Sequence, residues 1–113
     1  GTRMDHTITN IGNMKVAADC GKDCHIVDEH NYIYLLSEAD GIHIIRKDSQ
    51  YGRYVSIIPM SENVSLSLEG FKYTLDNYEL KQGLSICQSN EVEDEQGIIK
   101  VHKGLIIVLE TKD

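Results

Sequence analysis

The sequence has a single proline, three cysteines, no apolar run longer than Leu105 to Leu109, and only 11 lysines and arginines against 18 aspartates and glutamates. Each shortage removes something. Pro59 alone marks no linker, and nothing repeats at a fixed period, so 113 residues read as one domain. A membrane helix needs about 18 apolar residues, and a secretory leader needs a basic stretch ahead of an apolar run; neither pattern opens or interrupts the chain. Three cysteines, an odd number, do not build a disulfide framework, which points to a reducing, cytoplasmic setting. Gly1, Thr2 and Arg3 precede Met4 and read as a cloning remnant, so the expected native chain is 4–113, full length and a single β domain.

Catalytic signatures are also missing. There is no glycine-flanked serine elbow, no glycine loop that could cradle phosphate, and no pair of histidines four apart around a glutamate. His6, His43 and His102 have no partner identifiable in sequence and read as surface or strand-face residues. Cys87 alternates with Leu84 and Ile86, the pattern of a buried, inert thiol.

Hydrophobic residues make up 41% of the chain and charged residues 26%, enough apolar content for a modest core. Their dominant period is two. Val64, Leu66 and Leu68 alternate with Ser65, Ser67 and Glu69, which predicts a half-buried strand. Similar patterns at 32–36, 42–46, 54–58 and 84–87 predict further strands, and turn residues at 28–31, 38–41 and 48–52 separate the first of them. Spans 24–28, 31–37, 41–47 and 53–58 then read as an antiparallel meander. Residues 98–102 and 105–110 read as a hairpin about Lys103-Gly104, with a bulge in one long strand as the alternative. The last strand is apolar on both faces and is expected to be central.

Two stretches are ambiguous. Phe71, Leu75 and Tyr78 have helical spacing, with Gly83 as a stop, yet Phe71, Tyr73 and Leu75 also alternate; Met14 to Asp19 is equally two-sided. The expected fold is all-β, an antiparallel sandwich or barrel with at most one or two short helices. Its predicted core is Ile33, Leu35, Ile44, Val55, Ile57, Val64, Leu66, Leu68, Leu84, Ile86, Ile107 and Leu109.

The densest group of metal-type ligands is Cys20, Cys24, His25 and His30. If 24–28 is extended at about 3.3 Å per residue, Cys24 and His30 stand more than about 10 Å apart, and His25 faces away from Cys24. Zinc binding by these four is therefore the alternative, and no metal is the expectation. Cys20 to Cys24 followed by His25 also has one residue too many for covalent haem, and no cofactor is expected.

Arg46, Lys47, Tyr51, Arg53 and Tyr54 form the only basic and aromatic concentration, but a formal charge of −7 opposes nucleic-acid binding, and these residues read as a solvated turn beside apolar strands. Glu91, Glu93, Asp94 and Glu95 read as a solvated acidic loop. With Asp19, Asp23, Asp28 and Glu29 they make an acidic surface suited to a basic site on a protein partner. Elimination thus favours a non-catalytic, inhibitor-like binding module rather than an enzyme. The alternatives are the metal protein above and a structural subunit of a β-rich assembly. Unpaired edges also predict a homodimer.

Overall fold

A computed structural model describes residues 25–27, 29–81 and 89–112. They form two antiparallel sheets packed face to face, so the all-β sandwich is correct. The nine strands among the described residues are β1 (His25–Val27), β2 (Asn31–Ser37), β3 (Ile42–Arg46), β4 (Tyr54–Pro59), β5 (Val64–Glu69), β6 (Leu75–Leu80), β7 (Asn90–Glu91), β8 (Gln96–Lys103) and β9 (Leu105–Thr111). One sheet has the order β1-β2-β9-β4-β7 and the other β3-β8-β5-β6. A single 3-10 turn, Glu38–Asp40, is the helical content among them. No helix of the described residues is long and apolar enough to cross a membrane.

The strand alternation seen in sequence builds the interior. Val64, Leu66 and Leu68 of β5 are fully buried and meet Val55 and Ile57 of β4, Ile99 and Val101 of β8, and Ile106 and Val108 of β9 in one cluster. Each such side chain contributes about 1.5–3 kcal/mol on leaving water. As its two apolar faces predict, β9 is central, between β2 and β4. Its Ile107 packs with Ile33 in a second cluster on the outer face of that sheet, where Leu35 and Leu109 are half-buried.

Three expectations are corrected. The meander does not form: β2 pairs with β1 and β9, whereas β3 pairs with β8 in the opposite sheet, and β4 returns to β9. The turns carry the chain across the sandwich. Ser37 starts one of them, accepting from the Ala39 N–H while its own N–H donates to Asp40 Oδ2 at 2.6 Å, a reciprocal cap that ends β2. The hairpin about Gly104 is likewise a crossing, since β8 and β9 belong to different sheets. Gly104 has φ +91°, and a Cβ there would stand 2.9 Å from Val64 Cγ2, so only glycine lets the chain turn this close to the core.

Ile44 is 45% exposed, and its neighbour Ile45 is buried instead. Two adjacent isoleucines allow either parity, and pairing with β8 selects the one that points Ile45 inward. The ambiguous 71–82 segment resolves largely as strand: Leu75–Leu80 pairs with β5, and Phe71 bridges to Val92. The predicted strand at 84–87, with Leu84, Ile86 and Cys87, and the segment 14–19 lie outside the described residues.

Candidate functional site

One end of the sandwich is polar inside. Register places Tyr32 opposite Glu110, Glu110 opposite Val55, and Val55 opposite Asn90, a row across four strands whose side chains share the inner face. Val55 is fully buried, Asn90 is 2% exposed and Glu110 5%. These two are the buried polar residues among the described ones, and such groups are retained only where something holds them.

Asn90 holds a neighbouring loop. Its Oδ1 accepts from the Tyr73 N–H at 3.0 Å, and its Nδ2 donates to the Tyr73 carbonyl at 2.8 Å. The same Oδ1 accepts from the Glu91 N–H at 2.9 Å. Ser89, in the left-handed region at φ 54°, sends its N–H to Ser56 Oγ at 2.9 Å, which fixes the approach to β7. The consequence is a rigid backbone carrying an aromatic ring that is 57% exposed, that of Tyr73. Lys72 Nζ lies 5.7 Å from the centre of this ring and 4.0 Å from Glu91 Oε2.

The acidic stretch is therefore not a free loop. Glu91 belongs to β7, paired with Tyr54, and its carboxylate forms an ion pair with Arg53. Val92 is buried, and the Glu93 and Asp94 N–H groups both donate to the Gly70 carbonyl. Lys47 donates from its backbone to the Glu95 carbonyl at 3.0 Å and from Nζ to the Glu93 carbonyl at 3.2 Å. The basic turn and the acidic run, read separately in sequence, meet around a depression of about 570 Å³ lined by Lys47, Gln50, Arg53, Lys72 and Glu91. Glu93, Asp94, Glu95 and Glu29 are exposed, while Asp19, Asp23 and Asp28 lie outside the described residues. So do Cys20 and Cys24; His25 stands on β1 with its ring against Tyr32, and His30 precedes β2. No group of three or more possible metal ligands occurs among the described residues.

At the other flank of the row, aromatic rings run from His25 through Tyr32 and Tyr34 to His43. The Tyr34 hydroxyl and His43 Nε2 are 2.9 Å apart. Burial, then the Glu110 charge and a hydrogen bond to it, push the Tyr34 phenol far above its ordinary range. Burial also lowers the His43 pKa, against the opposing pull of Glu110 and Asp40. Both side chains are thus held neutral beside a carboxylate.

The fold is thus a two-sheet β-sandwich that mounts an exposed aromatic ring on a clamped loop. Residues 42–106 match the family described as "Thiamin pyrophosphokinase, vitamin B1 binding domain", and the chain belongs to that family. Its full length aligns at 33% identity with the thiamine pyrophosphokinase of Bacillus subtilis (strain 168), covering 52% of that relative. The chain thus spans about half the length of the curated relative it matches. The crystal structure of thiamine pyrophosphokinase from Bacillus subtilis superposes with a TM-score of 0.88 at 33% identity, over all of this chain and 52% of that one. Thiamin pyrophosphokinase from Geobacillus thermodenitrificans gives 0.84 at 31% identity, over all of this chain and 51% of that one. The Candida albicans enzyme, at 20% identity and a TM-score of 0.75, covers 98% of this chain and 41% of its own and shares the fold.

Membership of an enzyme family overturns the expectation of a non-catalytic, inhibitor-like protein-binding module. That inference rested on missing catalytic motifs, and a chain that spans about half of its relative's length need not carry them. Tyr73, Asn90 and Glu110 are not among the site residues read from the sequence. Glu110 was findable, because it continues the inward parity of Ile106 and Val108 with an acid. Asn90 was not, since its partner lies 17 residues away.

Proposed function

We propose that this chain is the vitamin-B1-holding part of a thiamine pyrophosphokinase, presenting thiamin for transfer of a pyrophosphoryl group. The observation that carries the reading is the match over 42–106, which contains Tyr73, Asn90 and Glu91 together with the geometry that fixes them. Thiamin joins a flat aminopyrimidine to a thiazolium cation. An exposed phenol ring on a pinned backbone offers such a molecule a stacking face, beside the Glu91 carboxylate that Arg53 and Lys72 already share. A platform that does not move costs little ordering entropy when the ligand arrives, and it holds the acceptor hydroxyl in one orientation.

The sequence has no glycine loop for phosphate. In this reading the pyrophosphoryl donor is held elsewhere, by sequence of the kind that makes up the other half of the relatives. A cytoplasmic setting goes with the proposal and agrees with the odd cysteine count.

Thiamin titrated into the protein under amide NMR tests the reading. Shifts should centre on residues 71–73 and 89–91, and Tyr73→Ala should weaken binding about tenfold, the scale of one lost aromatic stack. Shifts elsewhere, or unchanged affinity in Tyr73→Ala, would remove the platform from the site.

A further inference from the structure

A second cleft opens on the far flank of the buried row, between the edge strands β1 and β3 and the 46–51 turn. It measures about 500 Å³ and is lined by Tyr32, Tyr51, His25, Gln50 and the buried Glu110, with exposed Arg46 also in its wall. Val55 stands between Glu110 and Asn90 in the row, so those two residues are two strand spacings, about 10 Å, apart, while Gln50 borders both this cleft and the depression beside Glu91.

Its chemistry is one-sided. Glu110 is 5% exposed, yet among the described residues no lysine or arginine forms an ion pair with it. Its backbone donor, the Tyr51 N–H, is at a long 3.4 Å. Glu110 also accepts from the Tyr34 hydroxyl, whereas Gln50 Oε1 is buried with no hydrogen-bond partner. The walls are flat and π-rich: the Tyr32 ring centre lies 5.7 Å from that of His25 and 5.8 Å from that of Tyr51. One ring already attracts a cation, since Lys112 Nζ sits 4.4 Å from the centre of Tyr51.

We propose that this cleft is a binding site for a small, flat organic cation with at least two N–H donors, of the aryl-amidinium or guanidinium class. Its nitrogen donors pair with the Glu110 carboxylate and Gln50 Oε1, and its body lies against Tyr32 and Tyr51. An N–H fork gives the Glu110 carboxylate a charged partner and Gln50 Oε1 its missing donor, and a carboxylate binds such a fork more tightly than a single neutral donor. Arg46 opposes the ligand's charge without filling its place.

Benzamidine is the probe, with the neutral, similarly shaped benzamide as control. Titration of the unmodified protein should show saturable benzamidine binding, at least tenfold tighter than benzamide, with amide shifts at 50–51 and 110. Gln50→Leu should weaken it several-fold, Glu110→Gln tenfold or more, and Arg46→Ala should tighten it, while Tyr73→Ala leaves it unchanged. Glu110 is buried, so the amide spectrum of Glu110→Gln is checked first; if that variant does not fold, the benzamidine–benzamide contrast and Gln50→Leu decide. Equal affinity for the two probes, no binding at millimolar concentration, or shifts centred on Tyr73 would overturn the proposal. Weaker binding in Arg46→Ala would do the same, because it would mark an anion site. Displacement of benzamidine by thiamin would show that the cleft is not a separate site.

Discussion

The side-chain amide of Asn90 is closed onto the backbone of Tyr73, accepting from its N–H at 3.0 Å and donating to its carbonyl at 2.8 Å. A buried amide that mimics a strand in this way extends the pairing of the 71–74 loop with β7 beyond the backbone bond from the Lys72 N–H to the Glu91 carbonyl at 2.8 Å. Asn90→Ala leaves both Tyr73 groups and the Glu91 N–H without that partner. The expected loss is about 2–4 kcal/mol, read from urea unfolding, since three part-buried hydrogen bonds worth about 0.5–1.5 kcal/mol each are lost. Thiamin affinity should fall with it at temperatures where the variant is still folded. Unchanged stability would mean that water replaces the amide at no cost.

The Arg53–Glu91 pair is predicted to matter little to stability. Arg53 is 67% exposed at its side chain and Glu91 20%, so water screens the attraction. Glu91→Gln should change stability by no more than about 1 kcal/mol. Replacing Glu93, Asp94 and Glu95 by their amides should do equally little, because backbone bonds to Gly70 and Lys47 hold that turn. A loss several times larger in either case would show a charge network that the geometry does not contain.

Gly70 is the backbone's tightest point near the site. It has φ +75°, a region side chains avoid, and an added Cβ would stand 2.1 Å from the Gln96 carbonyl oxygen. Its own carbonyl receives the Glu93 and Asp94 N–H groups, so the residue cannot retreat without releasing them. Gly70→Ala should therefore cost at least about 1–3 kcal/mol in thermal or urea unfolding and broaden the Tyr73 amide signal. A neutral outcome would imply that β8 yields at Gln96.

Much of this architecture is legible in alternation. Val64, Leu66 and Leu68 announce a face, and the apolar parity on both sides of 105–109 announces a central strand. Pairing is less legible, because a turn such as 38–41 has the same composition whether it joins neighbours in one sheet or carries the chain to the other. Ile44 and Ile45 show the same limit at one residue: the face is chosen by Gly97 and Ile98 across the ladder, not by the pair itself. The site is less legible still. Tyr73 looks like an ordinary strand aromatic until Asn90 is seen to hold it, and Glu91 looks as solvated as Glu93, Asp94 and Glu95 until Arg53 and Lys72 are found beside it. Contacts between residues 17 to 46 positions apart leave no local pattern.

His43 is held neutral because burial lowers its pKa below the ordinary imidazole value of 6.5, the opposing charges of Glu110 and Asp40 being too weak to reverse this. The Tyr34 hydroxyl beside it is likewise held neutral. In the unfolded chain His43 takes a proton near pH 6.5, whereas the folded chain does not until the pH is lower, so across that interval the unfolded state binds more protons. Stability should thus fall as pH drops below about 6.5 and level off once the folded histidine also protonates. His43→Gln should flatten this part of the profile. Tyr34 acts at the other limit: its raised pKa means that the unfolded chain loses a proton above about pH 10 while the folded chain keeps it, so stability declines from there upward and Tyr34→Phe should remove that decline. Urea midpoints measured from acid to alkaline pH for the three proteins separate the two effects. An acid limb equally steep in His43→Gln would assign it to carboxylates instead.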